Sequence, residues 1–194
     1  MNNSNNNNND STEMATLASG CFWCSEAIFK RLKGIKSVLA GYAGGMVKNP
    51  SYDQVCTGKT GHAESIQIEF DPKVIPFEKI LHIFWHTHNP TTLNRQGNDV
   101  GTQYRSAIFY HNKKQKEIAE KSKKELEKEG AYKEPIITEI TPFSNFYVAE
   151  DYHKNYYENN QDAPYCNFII DPKVNKLLLK YRNNVKEEYK KNSY

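Results

Sequence analysis

The stretch "GCFWC", residues 20–24, places two cysteines three positions apart, and the residues after it are typical of a helix. A cysteine at the start of a helix lies beside free backbone N–H groups and the positive end of the helix dipole, which stabilise an anion. The thiolate form of cysteine is the nucleophile. We therefore predict that Cys21 has a lowered pKa and is the reactive thiol of this chain.

Cys24 completes a C-x-x-C pattern that has three readings. A thioredoxin-like dithiol expects small residues or proline between its cysteines, and Phe-Trp is unusual there. A zinc site needs a second pair of ligands, and the other two cysteines supply none at a suitable spacing. We predict no metal site, which leaves Cys24 as the partner in a dithiol or as an auxiliary thiol one turn from Cys21.

An acidic residue lies in the apolar file of a predicted strand. Residues 63–70 alternate, so that Glu64 shares one face with Ile66, Ile68 and Phe70. A carboxylate that faces a core is costly, so its pKa rises, and a neutral carboxylic acid can donate a proton near pH 7. The alternative is that Glu64, near the end of the strand, reaches solvent.

Further candidates lie on polar or aromatic segments. The loop "RQGNDVGTQYR", residues 95–105, runs into a core strand and offers Asp99 as an acid and Tyr104 as a hydrogen-bond donor. The aromatic segment "DYHKNYY" contains His153, which we expect to pack rather than to act as a base.

These residues depend on an alternation of strands and helices. We predict strands over 13–19, 36–42, 63–70, 105–110 and 134–140, with a short strand or buried turn at 165–170. We predict helices over 21–33, from Pro76, and over 112–129, 150–160 and 172–190. Strands and helices alternate early and less regularly later, which indicates an α+β fold with helices packed on a mixed β-sheet.

The composition sets broader limits. The 194 residues, 38% of them hydrophobic, suffice for one domain over 13–194, whereas the Asn-rich segment 1–12 is predicted to be disordered. The chain shows no secretory signal and no run of about 20 apolar residues, so we expect a soluble protein of the reducing cytoplasm. The charge is only +3 and lysines alternate with glutamates at helical spacing, which argues against nucleic-acid binding.

Six segments, taken in order, resemble one known family. They are "GCFW", "GYAGG", "GHAESIQIEFDP", "HNPTTLNRQGNDVGTQYRSAIFY", "AEDYHKNYY" and "PYC". Together they look like the peptide-methionine (S)-S-oxide reductases, the A-type methionine sulfoxide reductases. The resemblance runs from about Leu17 to Lys173.

The resemblance implies both a fold and the roles of site residues. The implied fold is an α/β two-layer sandwich around a mixed sheet, with a ferredoxin-like core. Cys21 would be the catalytic thiol and Glu64 the acid. Phe22 and Trp23 would form the apolar wall for the substrate S-methyl group. The groups around the sulfoxide oxygen would be Tyr42, Asp99 and Tyr104.

The implied reaction is reduction of the S epimer of methionine sulfoxide, free or in oxidised proteins and peptides. Cys21 would become a sulfenic acid, a second thiol would form a disulfide with it, and thioredoxin would reduce that disulfide. No metal or bound cofactor is implied, and we expect a monomer.

Two cysteines are candidates for the resolving thiol, because the sequence departs from the family pattern: many members carry Gly in place of Cys24, and some end in a Gly-rich tail with two further cysteines. We favour Cys166 over Cys24, because two cysteines within one helical turn reach disulfide geometry only with partial unwinding.

Overall fold

A six-stranded mixed sheet forms the centre of the structure, a computed structural model that describes residues 12–190. The strands are β1 Glu13–Ser19, β2 Ile35–Ala43, β3 Ala63–Phe70, β4 Arg95–Gln96, β5 Asp99–Val100, β6 Ser106–Tyr110, β7 Glu139–Pro142 and β8 Phe146–Val148. The order in the sheet is β7-β6-β1-β3-β2-β8, and β4 and β5 form a separate hairpin. The predicted disordered tail lies outside the described residues, apart from Thr12.

The helices connect and cover these strands. They are α1 Phe22–Phe29, α2 Tyr52–Cys56, α3 Phe77–Thr87, α4 Lys113–Lys128, α5 Tyr156–Asn159 and α6 Asp171–Tyr181. The succession β1-α1-β2-β3-α3-β6 gives the central strand order β6-β1-β3-β2, with antiparallel neighbours throughout. This is the ferredoxin-like arrangement that the resemblance implies, and the parallel pairing of β7 with β6 makes the sheet mixed.

The main hydrophobic core lies between the sheet and its helices. Ile66, Ile68 and Phe70 of β3 are fully buried in this core. Glu64 continues the same file and is 1% exposed, so the predicted alternation is confirmed and the solvent-reaching alternative is wrong. The opposite face of the sheet carries only a small cluster, formed by Ala18, Ala43, Ala63, Ala107 and Phe109.

Four predicted elements near the C-terminus differ from the structure. The helix predicted over 150–160 is divided into a 3₁₀ turn, Asp151–His153, and α5, because Asn155 between them has a positive φ of 52°. The strand predicted at 134–140 is confined to β7, because only residues from Glu139 onward pair with β6. Segment 165–170 is not a strand: Cys166–Ile170 is π-helical, and its buried residues are four apart, the period of a helix. The last helix ends at Tyr181 rather than near residue 190, and 3₁₀ turns follow it.

Tertiary pairing also sets the length of α1 and adds a strand. The helix ends at Phe29 instead of residue 33, because Leu32 forms an isolated bridge with Val185. The short strand β8 was not predicted, since three residues are too few to display an alternation. It pairs with β2, which makes β2 an interior strand of the sheet.

Gly20 makes the sharp turn from β1 into α1. Its φ is +88°, in the region that favours glycine, and a Cβ atom there would lie 2.5 Å from the Cβ atom of Gln96. Gly130 also has a positive φ, of +62°, but apart from its chain neighbours no described residue has a heavy atom within 4 Å of a Cβ atom built on it. A side chain at Gly130 would therefore introduce backbone strain alone, whereas a side chain at Gly20 would add a steric overlap to that strain.

We expect Gly130→Ala to lower the free energy of unfolding by roughly 1–2 kcal/mol, the cost of a left-handed conformation for an L-residue. Gly20→Ala should cost at least about 1 kcal/mol more, because it adds an overlap with Gln96 to the same strain. Chemical denaturation of both variants measures the difference. Equal losses would show that Gln96 moves aside without cost.

Candidate active site

A cavity of about 170 Å³ lies where β1 turns into α1. Its lining combines a thiol, two carboxyl groups, three phenol groups and two apolar rings. These belong to Cys21, Phe22, Trp23, Tyr52, Glu64, Asp99, Tyr104 and Tyr165. Six of the seven residues predicted for catalysis and substrate binding therefore meet in one cavity.

The turn at Gly20 puts Cys21 at the N-cap of α1, with an extended backbone at φ −59° and ψ 125°. The first helical N–H group, that of Phe22, donates a hydrogen bond of 3.0 Å to Oε2 of Glu64. The acid on β3 is thus tied to the residue that follows the thiol. The same bond uses a donor that was expected to stabilise the thiolate.

The prediction of a lowered pKa for Cys21 is wrong. Burial raises the pKa of this thiol, with further contributions from the Cys24 thiol and the Glu64 carboxyl group. The pKa of Cys24 is instead lowered to about 7, first by its hydrogen-bonding interaction with Cys21 and then by the positive charge of Lys173. Of the two thiols, Cys24 is therefore the one whose surroundings favour the thiolate.

Glu64 has the character predicted for a proton donor. Burial raises its pKa to about 8, which outweighs the lowering by the hydrogen bond from Phe22, and the charge of Asp99 adds to the increase. The carboxyl group is consequently neutral at pH 7 and carries a proton into the cavity.

Phenol groups supply further hydrogen-bond donors. Burial raises the pKa values of Tyr52 and Tyr104, so both hydroxyl groups stay protonated. Tyr165 donates a hydrogen bond of 2.7 Å to Oδ2 of Asp99, which fixes the orientation of that carboxylate. Asp99, at the start of β5, and Tyr104, at the end of the following 3₁₀ turn, both line the cavity, and the predicted polar loop contains a short hairpin.

Tyr42 does not line the cavity, which corrects its predicted place beside the substrate. It pairs with Glu64 across β2 and β3, but its hydroxyl group donates a hydrogen bond of 2.7 Å to Oε2 of Glu150. Its ring lies against Phe22, with 5.9 Å between the ring centroids. Tyr42 supports the aromatic wall, and Tyr52 supplies the phenol in the cavity.

Sequence reasoning did not assign Tyr52 or Tyr165 to the site. Tyr52 is the first residue of the five-residue helix α2. The capping box of Ser51 and Gln54 in "PSYDQ" indicates the start of this helix. Tyr165 belongs to "PYC", a segment singled out only for its cysteine. Neither signal shows that the tyrosine ring turns towards Cys21, because that depends on long-range packing.

Phe22 and Trp23 form an apolar wall. Their ring centroids are 6.4 Å apart, and Trp23 stacks on Tyr156 with 3.5 Å between centroids and 4° between ring planes. Such a wall suits a small apolar group lying beside the polar side of the cavity.

The peptide methionine sulfoxide reductase family matches residues 13–186. This chain belongs to that family. The peptide methionine sulfoxide reductase MsrA of Sulfolobus acidocaldarius is 55% identical over 166 residues, which cover 86% of this chain and 93% of that protein.

Solved structures agree with this assignment of the reductase. The crystal structure of Mxr1 from Saccharomyces cerevisiae in reduced form is 37% identical, with a TM-score of 0.74, and the match covers 80% of this chain and 89% of that one. Mxr1 in complex with Trx2 is 29% identical, with a TM-score of 0.54, and the match covers 76% of this chain and 86% of that one.

All four cysteines of the reductase are free. Cys21 and Cys24 interact directly, whereas Cys166 is fully buried in the π-helical segment, where burial raises its pKa. Within residues 12–190, no group of three or more His, Cys, Asp or Glu side chains has the geometry of a metal site. In the same part of the chain, none of the helices is long and apolar enough to cross a membrane.

The neutral state of Glu64 predicts a pH-dependent stability. The folded reductase binds this proton with a pKa of about 8, against roughly 4.3 in an unfolded chain. Between these values unfolding releases the proton, so the stability that Glu64 contributes falls as the pH rises. The Tm of Glu64→Gln minus the Tm of wild type should therefore be larger at pH 9 than at pH 5, by about 4 °C or more.

Thermal unfolding at both pH values tests this expectation. Glu69→Gln, on the opposite face of β3, is the control for removing one negative charge from the same strand. A difference between Glu64→Gln and wild type that stays constant from pH 5 to pH 9 would contradict a neutral Glu64.

Proposed function

We propose that this reductase converts the S epimer of methionine sulfoxide, free or in oxidised proteins and peptides, to methionine. The proposal rests on one observation: a neutral carboxylic acid, Glu64, and a thiol, Cys21, share a cavity with an aromatic wall. A sulfoxide oxygen is a poor leaving group until it is protonated, so the reaction needs an acid as well as a nucleophile. The proposed role is repair of oxidised methionine.

In the first step Cys21 attacks the sulfoxide sulfur while Glu64 protonates the oxygen. Because Oε2 of Glu64 accepts the Phe22 hydrogen bond, the carboxyl proton is carried by Oε1. As the Cys21 sulfur bonds to the substrate, Cys24 accepts the proton of the Cys21 thiol, because its lowered pKa makes Cys24 partly thiolate near pH 7. In net terms the oxygen passes from the substrate to Cys21, which is oxidised to a sulfenic acid, and the substrate is reduced to methionine.

The rest of the cavity stabilises and orients the substrate. Tyr52 and Tyr104 hydrogen-bond the sulfoxide oxygen as negative charge develops on it, and Tyr165 keeps Asp99 oriented beside them. Phe22 and Trp23 hold the S-methyl group. Tyr52 takes the role that the family resemblance gave to Tyr42.

For the second step we propose Cys24, in place of Cys166, as the resolving thiol. Its sulfur bonds to the Cys21 sulfur, the sulfenic S–O bond breaks, and the oxygen leaves as water. Three features support this choice: the direct interaction of the two thiols, the extended backbone of Cys21, which lies outside the helical turn, and the charge of Lys173 beside Cys24. Cys166, in the π-helical segment, remains the alternative.

A dithiol then reduces the Cys21–Cys24 disulfide, and thioredoxin is the proposed reductant. The complex of Mxr1 with Trx2 supports this partner. Neither a metal nor a bound cofactor has a part in the proposed cycle. We propose that the protein acts as a monomer in the cytoplasm, where cysteines are kept reduced.

Substitution of the two central groups tests the first step. Cys21→Ser should abolish reduction of the S epimer, because serine cannot form the sulfenic acid. Glu64→Gln should slow single-turnover formation of methionine by roughly 10²–10⁴-fold, the contribution of a general acid. Mass spectrometry of methionine formed per enzyme in one turnover measures both.

The R epimer and an insulin disulfide are the matched control substrates for that experiment. An active Cys21→Ser variant, or disulfide reduction without any sulfoxide turnover, would mean that the protein is a different thiol enzyme.

Peptide mapping tests the resolving step. Each protein is treated with one equivalent of a methyl sulfoxide substrate in the absence of reductant. Wild type and Cys166→Ser should then contain a Cys21–Cys24 disulfide, whereas Cys24→Ser should retain a sulfenic acid on Cys21. Lys173→Met should slow disulfide formation by roughly fivefold near pH 7, because it lowers the thiolate fraction of Cys24. Lys173→Arg keeps the charge and is its control.

A Cys21–Cys166 disulfide in wild type would assign resolution to Cys166 instead. Equal rates of disulfide formation in Lys173→Met and Lys173→Arg would show that the charge of Lys173 has no role in this step.

A further inference from the structure

Trp23 is fixed by its neighbours in a way that stacking alone does not achieve. One face of the indole stacks on Tyr156, and Tyr165 meets the indole edge-on, with 5.6 Å between centroids and 81° between ring planes. A stacked ring can still slide and turn within its plane. The indole N–H group removes that freedom, because it donates a hydrogen bond of 3.0 Å to Nδ1 of His153.

This hydrogen bond requires one protonation state of His153. Nδ1 must be an acceptor, so the ring is neutral and its hydrogen is on Nε2. Burial lowers the pKa of His153, which favours the neutral form. Nε2 is buried, has no hydrogen-bond partner among residues 12–190, and lies 4.0 Å from Oε2 of Glu150.

Glu150 connects this histidine to two other elements around the cavity. Its Oε1 accepts a hydrogen bond of 2.7 Å from the backbone N–H of Tyr52, at the start of α2, and its Oε2 accepts one from Tyr42 on β2. The ring of His153 also packs on Phe22, with 4.9 Å between centroids. His153 is fully buried, lies behind the cavity wall and is not among the lining residues.

We propose that His153 is a positioning residue for the substrate S-methyl group, because its neutral Nδ1 atom holds the Trp23 indole in one orientation and so sets the width of the apolar wall. This inference rests on the proposed function in one respect, the role of Trp23 in holding the methyl group. His153 itself does not touch substrate or a reacting atom.

Loss of the acceptor has two physical consequences. The half-buried indole loses the acceptor of its N–H group, and the Tyr156 stack then permits the indole to turn in its plane. A wall that is no longer fixed discriminates poorly between apolar groups that differ by one methylene.

Two isosteric substitutions isolate the acceptor. His153→Asn places its Oδ1 near the position of Nδ1, whereas His153→Leu has the same shape without an acceptor. The substrates are the S epimers of methionine sulfoxide and ethionine sulfoxide, whose S-alkyl groups differ by one methylene. We expect His153→Leu to raise KM for methionine sulfoxide roughly tenfold with a smaller change in kcat, and to lose most of the preference for methyl over ethyl.

His153→Asn should restore KM and the methyl preference to within roughly threefold of wild type, because it restores the hydrogen bond. If the Asn and Leu variants share the same KM and the same methyl preference, the proposal is wrong.

Indole NMR supplies a readout that does not depend on activity. The chain has two tryptophans, and Trp85 serves as an internal reference because its indole N–H bonds to Ser122, at 2.9 Å. In His153→Leu the indole proton of Trp23 should move upfield while that of Trp85 stays, and in His153→Asn both should stay near wild type.

The wild-type protein gives a second measurement if a variant fails to fold. Its ¹⁵N imidazole shifts should show Nδ1 unprotonated and Nε2 protonated, and the opposite tautomer would overturn the proposal. An unchanged KM in Trp23→Phe would refute the proposed methyl contact and leave the indole and imidazole measurements to decide the role of His153.

Discussion

The hydrogen bond from the Phe22 N–H group to Glu64 is the contact on which the site depends. It joins the end of a core strand to the first turn of α1, so the acid and the nucleophile keep a fixed relation. The bond also makes the Cys21 thiol less reactive in the absence of substrate. A donor that would stabilise a Cys21 thiolate serves the carboxyl group instead, and burial keeps Cys21 a thiol. The pair is therefore suited to a substrate that brings its own acceptor for the Glu64 proton.

The two cysteines of "GCFWC" have opposite electrostatic surroundings although they are three residues apart. Cys21 faces the carboxyl group of Glu64, and Cys24 faces the ammonium group of Lys173 on α6. The asymmetry comes from the packing of α1 between β3 and α6. Such an asymmetric pair needs no further base for an attack by Cys21, because the thiolate form of Cys24 can accept the Cys21 proton.

The features that sequence predicted best are those set by local periodicity. The burial of Glu64 follows from the alternation of β3, and the N-cap position of Cys21 follows from a strand, a glycine and a helix in succession. The pKa of Cys21 could not be predicted this way, because burial by distant elements outweighs the helix terminus. The exchange of Tyr42 for Tyr52 has the same origin, since no local signal at either tyrosine gives the direction of its ring and only the fold decides which ring faces the thiol.

The π-helical segment Cys166–Ile170 determines the rotational phase between Tyr165 and α6. A π turn contains one residue more than an α turn, and one residue corresponds to about 100° of rotation around a helix axis. With a regular α-helix in this place, the Tyr165 ring would leave the helix in a different direction and could not bond to Asp99. The orientation of the Asp99 carboxylate thus depends on the number of residues in a neighbouring helix. A chain with one residue fewer in that segment would keep every functional group of the site and lose their alignment.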